Sequence, residues 1–157
     1  MTITLLAIGK TDNKQLATLI EDYRKRLEFY IKFSLDIIPD LKQTKNLSID
    51  QQKQKEGELI LKRISSSDTL ILLDENGKSH SSVDFSNYLQ KHMNSGIKNL
   101  VFVIGGPYGF SEDVYKKANG KISLSKMTFS HQMIRLFFIE QLYRGFTILR
   151  NEPYHHQ

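Results

Sequence analysis

Five short runs of apolar and β-branched residues, separated by helical patterns, constrain the fold of this chain more than any other feature. Each run is five or six residues long and is bounded by turn residues, which predicts a β-strand. The runs cover residues 3–8, 33–38, 69–73, 100–104 and 121–125. Alternation of strands with helices predicts an α/β domain with a mostly parallel sheet, flanked by helices and connected by right-handed crossovers.

Three helices are predicted from their start signals. Asp12 is the expected N-cap of an amphipathic helix, whose apolar residues recur at steps of three and four: Leu16, Leu19, Ile20, Tyr23, Leu27 and Ile31. Ser48 and Gln51 form a capping-box pattern that opens a helix to about residue 64, and Ser82 is the expected cap of a helix that stops near Gly96. The helix after Ser48 has only a weak apolar stripe, so we expect either a largely exposed helix or a segment that is in part a mobile loop.

Composition limits the classes of function. The 157 residues suit one domain spanning 1–157, and the absence of cysteine excludes disulfides, thiolate nucleophiles and Cys-ligated metals. No apolar run approaches the roughly 18 residues of a membrane-spanning helix, so we expect a cytoplasmic protein with no membrane partner. Residues 115–157 carry seven basic and two acidic residues, whereas residues 1–114 are balanced at fifteen each. The net charge of +5 therefore lies in the last quarter, where we expect an anionic partner to bind.

Two predicted strand ends carry turn residues that suit ligand binding. A polar turn, residues 74–78, follows the third strand, and the sequence GGPYG follows the fourth. Ligands of open parallel sheets bind at the carboxyl ends of strands, where Gly105 and Gly106 would let the backbone approach a ligand closely. A tight turn without a ligand explains the same glycines equally well. The motif is not a dinucleotide fingerprint. A phosphate-binding loop is also excluded, because the position of its first glycine is occupied by Leu72.

The histidines and the last apolar segment leave alternatives open. His131 opens the last helical run, which places it near a site at the helix N-terminus. His155 and His156 are adjacent and point in different directions, so we expect no metal site and a mobile tail. The segment from Met133 to Tyr143 is apolar almost all round, which is typical either of a homodimer interface or of an internal core helix with a Glu140–Arg144 pair.

Three ordered motifs carry a resemblance that covers the whole chain. They are LLDENGK at 72–78, VIGGPYG at 103–109, and LSKMT at 124–128, continuing through His131, Arg135 and EQLYR at 140–144 to PYH at 153–155. Together they closely resemble the RlmH family of SPOUT-class methyltransferases, which act on large-subunit ribosomal RNA. The chain differs from the usual family pattern at Phe129-Ser130, at Gly145 and after His155.

The resemblance implies a deep trefoil knot within about residues 70–157, an obligate homodimer and S-adenosylmethionine as methyl donor, with no metal. Carried over by position, the donor would be held by three loops. Their residues are Leu73 in the first, Gly105 and Gly106 in the second, and Leu124, Ser125, Lys126, Met127, Thr128 and Phe129 in the third.

The family's product is a pseudouridine of 23S rRNA methylated at N3, and this implies roles for C-terminal residues. We expect Tyr154, His155 and Arg144 to be catalytic, because N3 must lose a proton and the base must be held in place. We expect His131, Arg135 and Arg150 to contact RNA. The alternatives are a non-catalytic ribosome-binding factor with this fold, and a nucleotide-dependent oxidoreductase, which the missing phosphate fingerprints disfavour.

Overall fold

A five-stranded parallel sheet lies at the centre of the molecule in the computed structural model, which describes residues 1–156. The strands are β1 (Thr2–Ile8), β2 (Lys32–Ile38), β3 (Asp68–Ser79), β4 (Asn99–Ile104) and β5 (Gly120–Ser123). Their order is β2-β1-β4-β3-β5, and every neighbouring pair is parallel. The predicted α/β class and mostly parallel sheet are confirmed.

Helices cover both faces of the sheet. They are α1 (Lys14–Leu27), α2 (Ile49–Leu61), α3 (Ser82–Asn94), α4 (Glu112–Lys117) and α5 (Met133–Leu149). Helix α5 packs between α1 and α3 over one face, where the rings of Phe102 and Phe138 lie 4.7 Å apart, and α2 and α4 pack over the other. Both faces are therefore buried, which explains why the strands are continuous apolar runs.

The helix starts differ from the predicted ones by one or two residues. Asn13, rather than Asp12, caps α1, because its Oδ1 accepts a hydrogen bond from the Leu16 amide at 2.9 Å. Ser81, rather than Ser82, caps α3, and α5 begins at Met133 rather than His131. The capping box of Ser48 with Gln51 is present as predicted.

Strand β3 is longer than its apolar run. The prediction that it ends at Leu73 is wrong, since the polar residues after Leu73 continue it to Ser79 through an irregularity in its pairing with β5. Gly77 makes this possible, because a Cβ there would lie 2.5 Å from the Ile122 carbonyl carbon.

Helix α2 is more deeply packed than its sequence suggests. It ends at Leu61, and three of its residues, Glu56, Gly57 and Ile60, are buried. A Cβ on Gly57 would lie 2.2 Å from the Ser111 hydroxyl oxygen, so α2 and the start of α4 approach closely. The expectation of a largely exposed helix is wrong on this inner face, because Glu56 and Gly57 lack the apolar signature of buried residues.

Within the described residues, 1–156, no helix is long and apolar enough to cross a membrane.

Candidate active site

A cavity of about 470 Å³ lies beside the middle of β3 and at the carboxyl ends of β4 and β5. These strands are neighbours in the sheet, so the loops after β4 and β5 meet beside the part of β3 that follows its apolar run. Residues lining the cavity include Leu73, Asp74, Gly105, Gly106, Leu124, Ser125, Met127, Thr128 and Phe129. The volume is within the roughly 300–1,000 Å³ of small-molecule sites.

The glycines after β4 shape one wall of the cavity. The Gly109 amide donates to the Gly106 carbonyl at 3.1 Å, closing a tight turn over residues 106–109. Gly109 has a φ of +81°, a conformation that favours glycine. A Cβ on Gly105 would lie 3.1 Å from the Phe110 ring, so a side chain there would press on the wall of the cavity.

Serine hydroxyls organise the loop between β5 and α5. Ser123 Oγ donates to the Ser125 carbonyl, Ser125 Oγ accepts from the Met127 amide, and both distances are 2.9 Å. Ser130 Oγ accepts from the Met133 amide at the start of α5. All the donor-loop residues predicted from the sequence line the cavity except Lys126, which is exposed and does not line it.

Tyr115 of α4 is a cavity residue that the sequence did not indicate. Its hydroxyl donates a hydrogen bond to the Asp74 carboxylate across the cavity wall. Burial, helped by the neighbouring Asp74 and Glu75 carboxylates, raises the pKa of Tyr115 to about 12. The phenol is therefore a neutral donor at physiological pH, and it fixes the acidic side chain at the end of the apolar part of β3.

The three residues expected to contact RNA lie in different environments. His131 is exposed and lines the cavity in the turn before α5. Arg150 is exposed at the other end of α5, where its guanidinium lies 4.5 Å from the Tyr30 ring centre.

Arg135 is only 1% exposed, and the structure corrects its expected role. Its Nη2 donates to the Ile8 carbonyl at 2.8 Å and its Nη1 donates to Thr11 Oγ1 at 3.1 Å. Burial lowers the pKa of the guanidinium. Arg135 thus ties α5 to the end of β1, and its guanidinium is not available to a phosphate.

The expected catalytic residues Arg144, Tyr154 and His155 lie together with Glu140 in one group of four, here called the tail cluster. The Tyr154 hydroxyl donates to Glu140 Oε1 at 3.0 Å and lies 3.1 Å from the Tyr23 hydroxyl. The Arg144 guanidinium lies 4.7 Å from the centre of the Tyr154 ring and is ion-paired with Glu140. The segment around Tyr154 is therefore docked on α5 and α1, which differs from the mobile tail expected from the sequence.

Proton positions in the tail cluster follow from its partners. Burial and the hydrogen bonds to Tyr23 and Glu140 raise the pKa of Tyr154, so its hydroxyl stays protonated. The hydrogen bond with Glu140 raises the pKa of Arg144. Because a guanidinium only donates, the 3.3 Å contact between Arg144 Nη1 and His155 Nδ1 makes that nitrogen the acceptor.

No residue of the tail cluster lines the cavity, as far as residues 1–156 show. The donor-loop residues and the expected catalytic residues are thus each grouped, but in two separate places. A metal centre is not indicated, since the part of the chain up to residue 156 contains no group of three or more potential ligands.

Comparisons with known proteins agree with these features. Residues 1–155 match the family model described as predicted SPOUT methyltransferase. The "Ribosomal RNA large subunit methyltransferase H" of Flavobacterium johnsoniae is 77% identical over 157 residues, and that of Bacteroides thetaiotaomicron is 57% identical, with both chains covered completely in each case.

A solved structure, the SpoU methyltransferase AviRb from Streptomyces viridochromogenes in complex with AdoMet, matches with a TM-score of 0.45 and 9% identity. The match covers 96% of this chain and 61% of that chain.

Proposed function

This chain belongs to the family of predicted SPOUT methyltransferases, and from that premise we propose that it transfers a methyl group from S-adenosylmethionine to N3 of a pseudouridine in 23S rRNA. The observation that carries the proposal is that the three segments expected to hold the donor, one in β3 and two in the loops after β4 and β5, line one cavity. Its full-length relatives are named as methyltransferases of large-subunit ribosomal RNA, which supports the same class of reaction.

The cavity fits the proposed donor in size and in chemistry. Leu73, Ile104 and Leu124 offer apolar contacts for an adenine ring, and Gly105 and Gly106 line the cavity with main-chain atoms. S-adenosylmethionine supplies a methyl group activated by its positively charged sulfur. Leu73, Gly105, Gly106, Leu124, Ser125 and the residues 127–129 would hold it, whereas Lys126 lies outside the cavity.

The reaction joins N3 of the base to the methyl carbon while the bond from that carbon to sulfur breaks, and N3 gives up its proton. Within the tail cluster, a guanidinium has no acceptor, Tyr154 stays protonated, and the Glu140 carboxylate is engaged by Arg144 and Tyr154. The His155 imidazole is the remaining acceptor, and its Nδ1 can take the proton once bound RNA displaces the 3.3 Å contact with Arg144 Nη1. We assign proton acceptance to His155 and stabilisation of the developing negative charge to Arg144. Tyr154 helps to position His155 and Arg144, because its side chain contacts Glu140 and the Arg144 guanidinium.

Separation of the cavity from the tail cluster supports a homodimer in which one protomer's tail completes its partner's site. Helix α5 offers an apolar surface for such contact, since Met133 and Phe137 are each 39% exposed beside the cavity loops. We further propose that the chain is a single domain over residues 1–157 and that it contains a knot within about residues 70–157. Its proposed location is the cytoplasm.

RNA would reach the site over the basic C-terminal quarter of the chain. His131 lies at the cavity itself, while Lys126 and Arg150 are exposed cations that can meet phosphates. RNA affinity should therefore fall as the salt concentration rises. Arg135 is left out of this surface because it is buried.

Binding of labelled S-adenosylmethionine tests the donor site and separates this function from a non-catalytic ribosome-binding factor, which needs no such ligand. We expect saturable binding by the purified protein, and its absence would overturn the methyltransferase function.

Mixed dimers test the shared site. One protomer would lack residues 151–157, and the other would carry Gly105→Val to obstruct the cavity. Each variant alone should be inactive. The mixed dimer should regain methyl transfer, because one of its two sites combines the open cavity of one protomer with the intact tail of the other. No regained activity in a confirmed mixed dimer would contradict the shared site.

A further inference from the structure

Glu56 is a buried acidic residue beside the candidate active site, with no part in the reaction described above. It lies on the inner face of α2 and is 4% exposed. Its Oε1 accepts a hydrogen bond from Gln52 Nε2 at 3.0 Å, whereas its Oε2 is buried without a hydrogen-bond partner among the described residues. A buried carboxyl with a free oxygen is costly to keep, so a role is expected for it.

The Glu56 carboxyl occupies the space that a side chain on Gly106 would need. A Cβ at position 106 would lie 2.1 Å from Glu56 Oε2 and 2.6 Å from its carboxyl carbon. Gly106 lines the cavity and opens the 106–109 turn, but Glu56 does not line the cavity. Glu56 therefore packs against the turn from outside the cavity.

The helix that carries Glu56 is itself held close to the same loop. Gly57 packs against Ser111, which follows the 106–109 turn and caps α4. Ile60, one turn further along α2, is 1% exposed and belongs to the hydrophobic core. With α2 fixed in this way, the position of the Glu56 carboxyl limits where the backbone of Gly106 can lie.

The surroundings of Glu56 raise the pKa of its carboxyl group above the ordinary value. Burial is the main cause that raises the pKa of Glu56, and the negative charge of Asp40 after β2 acts in the same direction. The hydrogen bond from Gln52 and the proximity of His131, before α5, act in the opposite direction. Gly106, which packs against Glu56, and Ser111, which packs against Gly57, are uncharged.

We infer that Glu56 is a positioning residue of the donor site, whose carboxyl group supports the 106–109 turn in the arrangement that binds the donor. The inference rests on the proposed function and adds a residue outside the cavity to it. Removing the side chain should let the turn move away from its binding position, whereas a neutral isosteric side chain should keep the turn in place.

Titration calorimetry with S-adenosylmethionine tests the inference on the full-length protein. We expect Glu56→Ala to weaken binding by about tenfold, which corresponds to about 1.4 kcal/mol. Glu56→Gln should recover most of that loss, because it keeps the volume and the contact with Gln52. Glu58→Gln, an exposed position on the same helix, is the matched control and should bind as the wild type does.

A double variant tests the contact itself. Gly106→Ala should weaken binding through the clash with Glu56, and adding Glu56→Ala should restore part of the affinity, a non-additive result typical of residues in contact. Urea denaturation of each variant separates loss of folding from loss of donor binding.

Wild-type affinity in Glu56→Ala, or no gain in the double variant over Gly106→Ala, would overturn the inference. Failure of the wild-type protein to bind the donor would instead overturn the proposed function, so the two failures are distinguishable.

Discussion

The hydroxyl of Tyr154 donates a hydrogen bond to Oε1 of Glu140 over 3.0 Å, and this contact fixes the C-terminal segment on helix α5. The same carboxylate oxygen accepts from Arg144 Nε at 3.1 Å. One acidic side chain therefore positions both the cation and the aromatic ring assigned to the reaction.

Glu140→Gln should separate donor binding from methyl transfer. Loss of the charge loosens Arg144 and Tyr154, and misplacement of catalytic groups by about 1 Å can cost on the order of 100-fold in rate. We expect a fall in transfer of about that size with donor affinity unchanged, since Glu140 does not line the cavity. Glu112→Gln, which removes an exposed i,i+4 pair with Lys116, is the matched control and should leave both unchanged. Equal losses of binding and transfer in Glu140→Gln would count against this role.

His155→Asn should remove the proton acceptor while preserving a polar side chain. General base catalysis contributes about 10²- to 10⁴-fold, so single-turnover transfer should fall by at least the lower figure. His156→Asn is the control, because His156 is the adjacent, exposed histidine. Equal effects of the two substitutions on methyl transfer would contradict the role of His155 as the proton acceptor.

The buried carboxyl of Glu56 predicts a specific pH dependence of stability. Its pKa in the folded protein is raised above the ordinary value of 4.5, so the folded state holds this proton more tightly than the unfolded state does. The contribution to the free energy of unfolding is present below the ordinary pKa and is lost as the pH rises through the raised one.

Urea denaturation at a series of pH values should therefore show wild type losing stability relative to Glu56→Gln as the pH rises. The same series with Glu58→Gln, at an exposed position of α2, is the control for replacing a carboxylate on this helix. A pH-independent difference between wild type and Glu56→Gln would mean that Glu56 titrates normally.

Gly77→Ala should disturb the extended part of β3. The new Cβ would meet the backbone of Ile122 at 2.5 Å, which a side-chain rotation cannot relieve. We expect the free energy of unfolding to fall by about 1–3 kcal/mol, the usual cost of overpacking. Gly120→Ala is the comparison, because its Cβ would meet only the end of the Ile71 side chain, at 3.3 Å. A similar loss at both positions would contradict the close approach at Gly77.

The sequence predicted the strands and the cavity loops because their signals are local. A parallel strand buried on both faces is a continuous apolar run, and four of the five predicted strands match observed ones to within two residues at each end. Glycines after β4 likewise mark a backbone approach at that point of the chain.

Residues whose roles depend on packing between distant elements could not be predicted in the same way. Tyr115 meets Asp74 across 41 positions of sequence, and Arg135 meets the Ile8 carbonyl across 127. Glu56 lies in a charged stretch typical of an exposed helix, and only its packing against Gly106 reveals its burial. The separation between the tail cluster and the cavity also depends on how the whole chain folds, so local sequence patterns do not predict it.

Methyl transfer to ribosomal RNA tests the central claim most directly. The purified protein would be incubated with tritiated S-adenosylmethionine and ribosomes from a strain lacking the corresponding enzyme, and methylated nucleotides would then be located by mass spectrometry. The account predicts label at N3 of one pseudouridine of 23S rRNA. Label elsewhere, or no transfer to 23S rRNA by protein that binds the donor, would contradict it.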